Sequence, residues 1–215
     1  MRILLATLAA CLWPAVAAAA GPAAKHTGAG TTAAQSSLLT LNDLGKGWEA
    51  SKPGTTAINL SCTGHVTDGS DITEIGAASS PAFDDSRGVV IGQQTSVFAD
   101  ARQTTTYWKR GVDKGLVECV AASLAGLRVR GLGVVITSKT TLPLSRVTEM
   151  TEGYRVVAKV TAGSRKLTAT FDVILVARGQ MLSEIALGSF GSPIPLAVET
   201  AFAKIVASRL GSPVA

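Results

Sequence analysis

A period of two between Val89 and Phe98, with Val89, Ile91 and Val97 on one face, predicts a β-strand in the middle of the chain. It puts Gln94 and Ser96 on the same face as Phe98. The same period of two recurs in four later segments: 132–138, 154–161, 166–177 and 180–190. Turn-like residues at 162–165 and at Arg178-Gly179 join the last three, which predicts a consecutive antiparallel meander.

Helical spacing predicts a long helix directly after the middle strand. Asp100 and Gln103 form the pattern of a capping box, and Trp108 and Cys119 lie on the apolar stripe that follows. Each of the glycines at 111 and 115 costs about 1 kcal/mol relative to alanine inside a helix. The helix therefore either continues to residue 122 or breaks into two near residue 112.

Two more helices are predicted nearer the ends. A short one spans 38–45 and closes at Gly45, and it leads into an extended segment around Trp48. A C-terminal helix begins at Pro195, with Glu199 on its polar side. Its apolar stripe is predicted to consist of Val198, Ala201, Phe202, Ile205, Val206 and Leu210.

This order of elements predicts one α+β domain over residues 37–210. An antiparallel meander would be covered by the long central helix and the C-terminal helix, with a single disulfide as a staple. Residues 21–36 consist mainly of Gly, Ala, Thr and Ser, and this composition predicts a flexible linker. Residues 211–215 are predicted to be a short tail.

Composition narrows the protein class. The chain has 215 residues, of which 47% are hydrophobic and 16% charged, and its formal net charge is +5. The apolar share is too high for intrinsic disorder. The small excess of scattered basic residues disfavours strong nucleic-acid binding. A soluble globular domain fits best.

The first twenty residues have the pattern of a secretory signal peptide. A basic start at Arg2 precedes an apolar run, and a series of small residues before Gly21-Pro22 offers cleavage sites. Two alternatives stay open. Cys11 ends a lipoprotein-like box and would then carry a lipid, or the run stays uncleaved as an anchor. All three interpretations predict a secreted or envelope-associated protein.

Only Cys62 and Cys119 remain once the leader is removed. In an oxidising compartment we expect them to pair. The chain-entropy model gives such a bond roughly 4 kcal/mol of stabilisation. Two separate buried thiols are the alternative.

Sequence motifs for catalysis or cofactor binding are absent from the chain. It contains no Gly-x-Ser-x-Gly elbow, no His-Glu-x-x-His helix and no phosphate-binding Gly-x-x-x-x-Gly-Lys loop. His65 follows Cys62 closely, but no second half of a zinc site exists. Asp68, Asp71 and Glu74 lack the pattern of a calcium loop and are predicted to be solvated. We expect no cofactor, no metal and no catalytic residue.

One carboxylate is out of place in the predicted meander. If Arg178-Gly179 is a two-residue turn, Glu184 lies opposite Val173, on an apolar face. Burial raises the pKa of a carboxylate, and such groups cluster at ligand sites. The sequence thus predicts a ligand pocket between sheet and helix, lined by Glu184, Phe171, Val173, Leu175 and Trp108.

Three other interpretations of Glu184 stay open. The strand register could differ, the sheet face could be uncovered, or a basic side chain could pair with the carboxylate. The candidate partners are Arg155, Arg165 and Lys166.

The chain resembles the secreted sensor-type domains of actinobacteria, which are related to the PknH-like extracellular domain of receptor kinases and to PsbP-like envelope lipoproteins. The resemblance covers residues 38–210. It rests on Leu38-Leu39-Thr40 before Asp43-Leu44 and Trp48, on the cysteine pair, on Phe98 before the long helix, and on the run 171–179. It implies an exported, non-catalytic sensing or scaffolding domain with a cleft on its sheet. Kinase-linked members have a second disulfide, which this chain lacks.

The sequence therefore predicts an exported binding module of the cell envelope that holds a small apolar ligand between sheet and helices. An accessory envelope protein that acts through protein contacts is the alternative, and a hydrolase ranks third. Weak association with anionic envelope surfaces is a further expectation. It rests on a mild basic cluster: Lys109, Arg110, Lys114, Arg128 and Arg130.

Overall fold

The computed structural model describes residues 13–15, 22–50, 57–59, 69–112, 115–126 and 132–211. Within these ranges the chain forms five helices: α1 (Gly28–Ser36), α2 (Leu41–Leu44), α3 (Ala101–Gly111), α4 (Leu116–Ala125) and α5 (Leu196–Arg209). It forms eleven strands: β1 (Trp13–Ala15), β2 (Ala23–Ala24), β3 (Trp48–Ala50), β4 (Ala57–Asn59), β5 (Thr73–Ser79), β6 (Phe83–Asp85), β7 (Val90–Phe98), β8 (Leu132–Thr141), β9 (Met150–Ala162), β10 (Arg165–Arg178) and β11 (Met181–Phe190).

The fold is a mixed α and β structure built on one large, mostly antiparallel sheet. Its main strand order is β2-β5-β7-β11-β10-β9-β8, with β6 also pairing with β7 and β3 pairing with β6. Strands β8 to β11 pair consecutively and antiparallel, which confirms the predicted meander. The middle strand β7 pairs with the last strand, β11. A separate parallel pair joins β1 to β4.

Helices cover both faces of the sheet. Along β10, Phe171, Val173 and Leu175 belong to one core with α3 and α4. The alternate residues Ile174 and Val176 belong to a second core, with α1 and α5 on the other side. Residues 169 to 177 of this strand are consecutively buried. A strand buried on both faces is typical of a sheet between two layers of helix.

The central helix breaks into two, which was one of the outcomes left open. α3 ends at Gly111, and α4 begins after Gly115, whose φ of 95° lies in the left-handed region. Glycine reaches that region without the steric penalty that a side chain brings. The break lets α3 lie over β7 and β11 while α4 lies over β8 and β9.

Residues 21–36 differ from the expected flexible linker. Thr27 caps α1 by accepting a hydrogen bond from the Gly30 backbone N–H at 3.0 Å. Gly30 and Gly76 let the helix backbone touch β5, since a Cβ added to Gly76 would lie 2.1 Å from the Gly30 carbonyl carbon. Backbone contact with the sheet supplies the burial that the small side chains of this segment lack.

A buried polar network fixes the chain after α1 to the sheet. The Gln93 side chain accepts a hydrogen bond from the Leu39 backbone N–H at 2.5 Å. Its amide donates to the Ser37 carbonyl at 3.1 Å and to the Ser183 hydroxyl at 2.8 Å. Because these groups are fully buried and hydrogen-bonded, they specify one position for the segment.

Helix α5 is rotated relative to its predicted stripe. Val198 is 39% exposed, whereas Glu199, expected on the polar side, is fully buried. The buried face consists of Glu199, Phe202, Ala203, Val206, Ala207 and Leu210. These positions also follow helical spacing. Two of them are alanines, Ala203 and Ala207, whereas the prediction favoured larger side chains such as Val198 and Ile205.

Several predictions concern residues outside the described ranges. The expected signal peptide falls outside them except for β1, and so do Cys11 and the tail beyond residue 211. Cys119 is buried on α4 and is in a disulfide bond, but Cys62 lies outside the described residues. The pairing of Cys62 with Cys119 therefore stays a prediction. No helix within the described ranges is long and apolar enough to span a membrane.

Candidate ligand-binding site

Strands β7 and β11 are fully covered on one face only. On the side of α1 and α5, Gln93, Thr95 and Ile185 are completely buried. On the side of α3, the alternate residues Gln94, Ser96, Glu184 and Ala186 are only half-buried. We call these four residues, together with the half-buried Tyr107 of α3, the Glu184 strip. The strip is a partly open surface in the centre of the sheet.

Helix α3 is held above the strip at both ends. Asp100 accepts a hydrogen bond from the Gln103 backbone N–H at 2.8 Å, which confirms the predicted cap. The Gln103 side chain accepts another from the Thr73 N–H of β5 at 2.7 Å. At the opposite end, the Tyr154 hydroxyl donates to the Val112 carbonyl at 3.3 Å. These contacts fix where the helix places Tyr107.

The Tyr107 ring lies against the end of β7. Its centroid is 5.1 Å from that of Phe98, and the two rings are tilted by 35°. This separation is within the range that aromatic pairs favour. Tyr107 thus brings an aromatic ring and a hydroxyl to the edge of the Glu184 strip.

The predicted register of the β10–β11 hairpin was wrong by two residues. Arg178 pairs with Met181, so the turn is Gly179-Gln180, and Glu184 lies opposite Leu175 instead of Val173. Gly179 has a φ of 57°, a conformation typical of the tight hairpin turns. A shift by an even number keeps each side chain on its face, so Glu184 remains on the side of Phe171 and Leu175.

The basic residues proposed as partners of Glu184 lie elsewhere. The position of Arg155 opposite Asp172 places it on the other face of the sheet, and Lys166 shares that face. Arg165 is at the far end of β10. Among the described residues, no hydrogen bond or ion pair reaches the Glu184 carboxylate. Its neighbours in adjacent strands on the same face are Leu175 and Gln94.

Burial among these neighbours raises the pKa of Glu184 to about 7. The pKa of Tyr107 is raised to about 12, first by burial and then by the charges of Glu184 and Glu74. Near neutral pH the strip therefore combines a neutral phenol, which donates a hydrogen bond, with a carboxylate that exchanges its proton.

The other predicted pocket residues form core rather than surface. Phe171, Val173, Leu175 and Trp108 are all at least 92% buried and pack together in the core beneath α3 and α4. Of the five, only Glu184 is half-buried. The structure brings all five to one face of the sheet, as predicted, with the four apolar residues forming the packed core beside the strip.

Sequence reasoning missed Gln94, Ser96 and Tyr107 as members of the strip. The alternation of residues 89–98 had already placed Gln94 and Ser96 on the face of Phe98. That pattern does not predict the pairing of β7 with β11, which places Gln94 beside Glu184. No local signal gives that pairing, because the two strands are far apart in sequence.

A second polar cluster lies on the opposite face and anchors α5. Arg155 donates from Nε and Nη2 to the two carboxylate oxygens of Asp172, at 2.8 and 2.9 Å. The same Nη2 donates to Glu199 Oε1 at 2.7 Å and to the Ile194 carbonyl at 3.0 Å. One guanidinium thus joins β9, β10 and α5 in charge-assisted hydrogen bonds.

Two carboxylates share this single cation. Asp172 and Glu199 are almost completely buried, and in the part of the chain that the structure describes no hydrogen-bond partner reaches Glu199 Oε2. Burial and the neighbouring Asp172 raise the pKa of Glu199 to about 8, although Arg155 acts in the opposite direction. Since a protonated Glu199 would place a donor beside the Asp172 carboxylate, the cluster holds a proton at neutral pH.

Some of the other charged groups that the sequence singled out have structural partners. Glu74 lies 2.8 Å from His26 Nε2, and Arg110 Nη2 donates to Asp71 at 2.9 Å. Asp68, His65, Lys114, Arg128 and Arg130 lie outside the described residues. Within the part of the chain that the structure describes, no group of three or more His, Cys, Asp or Glu side chains could hold a metal ion.

Comparison with protein-family models and with curated proteins finds no match for this sequence.

Proposed function

We propose that the protein is an exported, non-catalytic binding module of the cell envelope, which holds the apolar part of a small ligand on the Glu184 strip. One observation carries the proposal. Within the described ranges the sheet is completely covered on one side of β7 and β11 but only half-covered over the strip, where the Glu184 carboxylate lies between Leu175 and Gln94 without a hydrogen-bonding or ionic partner. Partly open apolar surfaces with a few polar groups are typical of ligand sites.

The support comes from how the strip is built. Helix α3 is tied down at both ends, so the position of Tyr107 beside the strands is a fixed feature of the fold. Ala186 is half-buried and carries the smallest side chain of the strip. Because such a surface is already ordered, ligand binding does not incur the entropy cost of ordering it.

Filling the strip tests the proposal. We expect the uncharged fluorophore N-phenylnaphthylamine to bind the wild-type protein saturably, and Ala186→Trp to weaken that binding by about tenfold or more because the indole occupies the ligand's place. Val135→Trp is the matched control, since Val135 is 62% exposed on the other side of the sheet. Fluorescence titration measures the affinity of the wild-type protein and of both variants. Absence of saturable binding, or equal binding by Ala186→Trp, would refute the function.

Export and the Cys62–Cys119 bond are part of the same proposal. The natural product should lack its leader, and its intact mass should be lower than that of the reduced form by two hydrogen atoms. A lipid-modified Cys11 would appear instead as a heavier, acylated N-terminus. Intact-mass spectrometry of the secreted and membrane fractions measures both. A chain that keeps Met1 and three free thiols would contradict the proposed compartment.

A further inference from the structure

Within the described ranges Glu184 lacks a cationic partner, whereas several other half-buried or buried acids have one. Asp43 is paired with Arg209, Asp85 with Arg87, and Asp172 with Arg155. Glu184 lies between Leu175 and Gln94, and no basic side chain of the described residues reaches it. A carboxylate in such surroundings is costly unless a partner is supplied.

The same face carries further negative charge. Glu152 of β9 flanks Leu175 on one side as Glu184 flanks it on the other. Because neighbouring strands are about 4.8 Å apart, the two residues lie roughly 10 Å from each other across the sheet. Glu74 adds its charge near Tyr107. The partly open surface is therefore negative around an apolar centre.

Charge complementarity then selects the ligand. We propose that the molecule bound on the Glu184 strip is a cationic amphiphile, whose ammonium or guanidinium group pairs with Glu184 while its apolar part lies over Ala186 and beside Tyr107. The inference rests on the proposed function and specifies its ligand class. The ligand cation supplies the donor that the described residues do not provide to Glu184, and the Tyr107 ring adds an aromatic surface of the kind that attracts cations.

An anionic or neutral ligand fits the strip less well. A fatty carboxylate would lie beside Glu184 and Glu152 and would be repelled by both. A neutral alcohol would leave the Glu184 charge without an opposite partner. The strip therefore discriminates by charge among ligands of equal apolar size.

Three probes of equal chain length test this discrimination: octylammonium, octanol and octanoate. We expect octylammonium to bind the wild-type protein about tenfold or more tightly than the other two, as a charged hydrogen bond predicts. Glu184→Gln should remove that preference, so that octylammonium binds no more tightly than octanol. Glu118→Gln is the matched control, because Glu118 is exposed on α4 and pairs with Lys139. Titration calorimetry measures the affinities.

The outcomes separate the two proposals. If octanol or octanoate binds as tightly as octylammonium, or if Glu184→Gln keeps the preference, the cationic ligand class is refuted while the binding function stands. If none of the three probes binds, or if Ala186→Trp binds them all as the wild type does, the function itself falls.

A salt titration of the wild-type protein gives an independent readout should Glu184→Gln fold poorly. Added salt should weaken octylammonium binding and leave octanol binding nearly unchanged, because only the former depends on charge. Equal salt dependence of the two probes would count against the pairing with Glu184.

Discussion

Two glutamates illustrate how the surroundings of a single side chain decide its role. Glu184 and Glu199 are the same residue type, and both have a raised pKa because of burial. Glu199 receives a hydrogen bond from Arg155 and connects α5 to the sheet. Glu184 has no such partner among the described residues and lies on a half-open face. The first is therefore a structural group, and the second is available to a ligand.

Loss of the Arg155 guanidinium should destabilise the fold strongly. We expect Arg155→Met to lower the free energy of unfolding by about 3–5 kcal/mol, because Asp172 and Glu199 would remain buried without a cation. Lys139→Met removes one partner of an exposed pair with Glu118 and should cost at most about 1 kcal/mol. Urea unfolding measures both variants. Equal small losses would show that the buried cluster contributes little.

Most helices and strands followed from local sequence patterns. The alternation in 89–98 and the cap at Asp100 correspond to β7 and α3 within a residue or two. The misjudged elements depend on tertiary contacts. α1 has few large apolar side chains, and it is held by the backbone contact between Gly30 and Gly76. In α5, alanines and valines are spread around the helix, so Arg155 decides which face is buried.

The sequence of β10 also indicates that helices cover both faces of the sheet, which its alternating residues alone do not show. The run from Val173 to Ala177 is apolar at every position, which is typical of a strand buried on both faces. An emphasis on alternating residues led to the expectation of helices over a single face. The structure has helices on both sides, and β10 contributes to each core.

For the molecule as a whole, the two raised carboxyl pKa values predict a stability that falls as pH rises. Each group binds its proton more tightly in the folded state than at its ordinary pKa of 4.5. Their stabilisation is therefore fully present below about pH 4.5, and it is lost as pH rises through 7 for Glu184 and through 8 for Glu199. Urea midpoints at pH 5 and pH 8 should show the decrease.

The double variant Glu184→Gln with Glu199→Gln is the control for this pH dependence. Glutamine keeps the shape of the side chain and does not titrate, so its urea midpoint should vary less between pH 5 and pH 8. A wild-type protein that becomes more stable as pH rises over this range would contradict the proton-binding role of both residues.

The sequence by itself determined the meander, the capped central helix with its weak point, the inward placement of Trp108 and Cys119, and the unusual position of Glu184 on an apolar face. These features depend on neighbours a few residues away, whose period and caps are local properties. Only the tertiary structure decided that β7 lies beside β11, that helices cover both faces, and that Arg155 serves Asp172 and Glu199 rather than Glu184. Those outcomes depend on contacts between distant segments, and a one-dimensional pattern of apolar residues does not specify which distant partners meet.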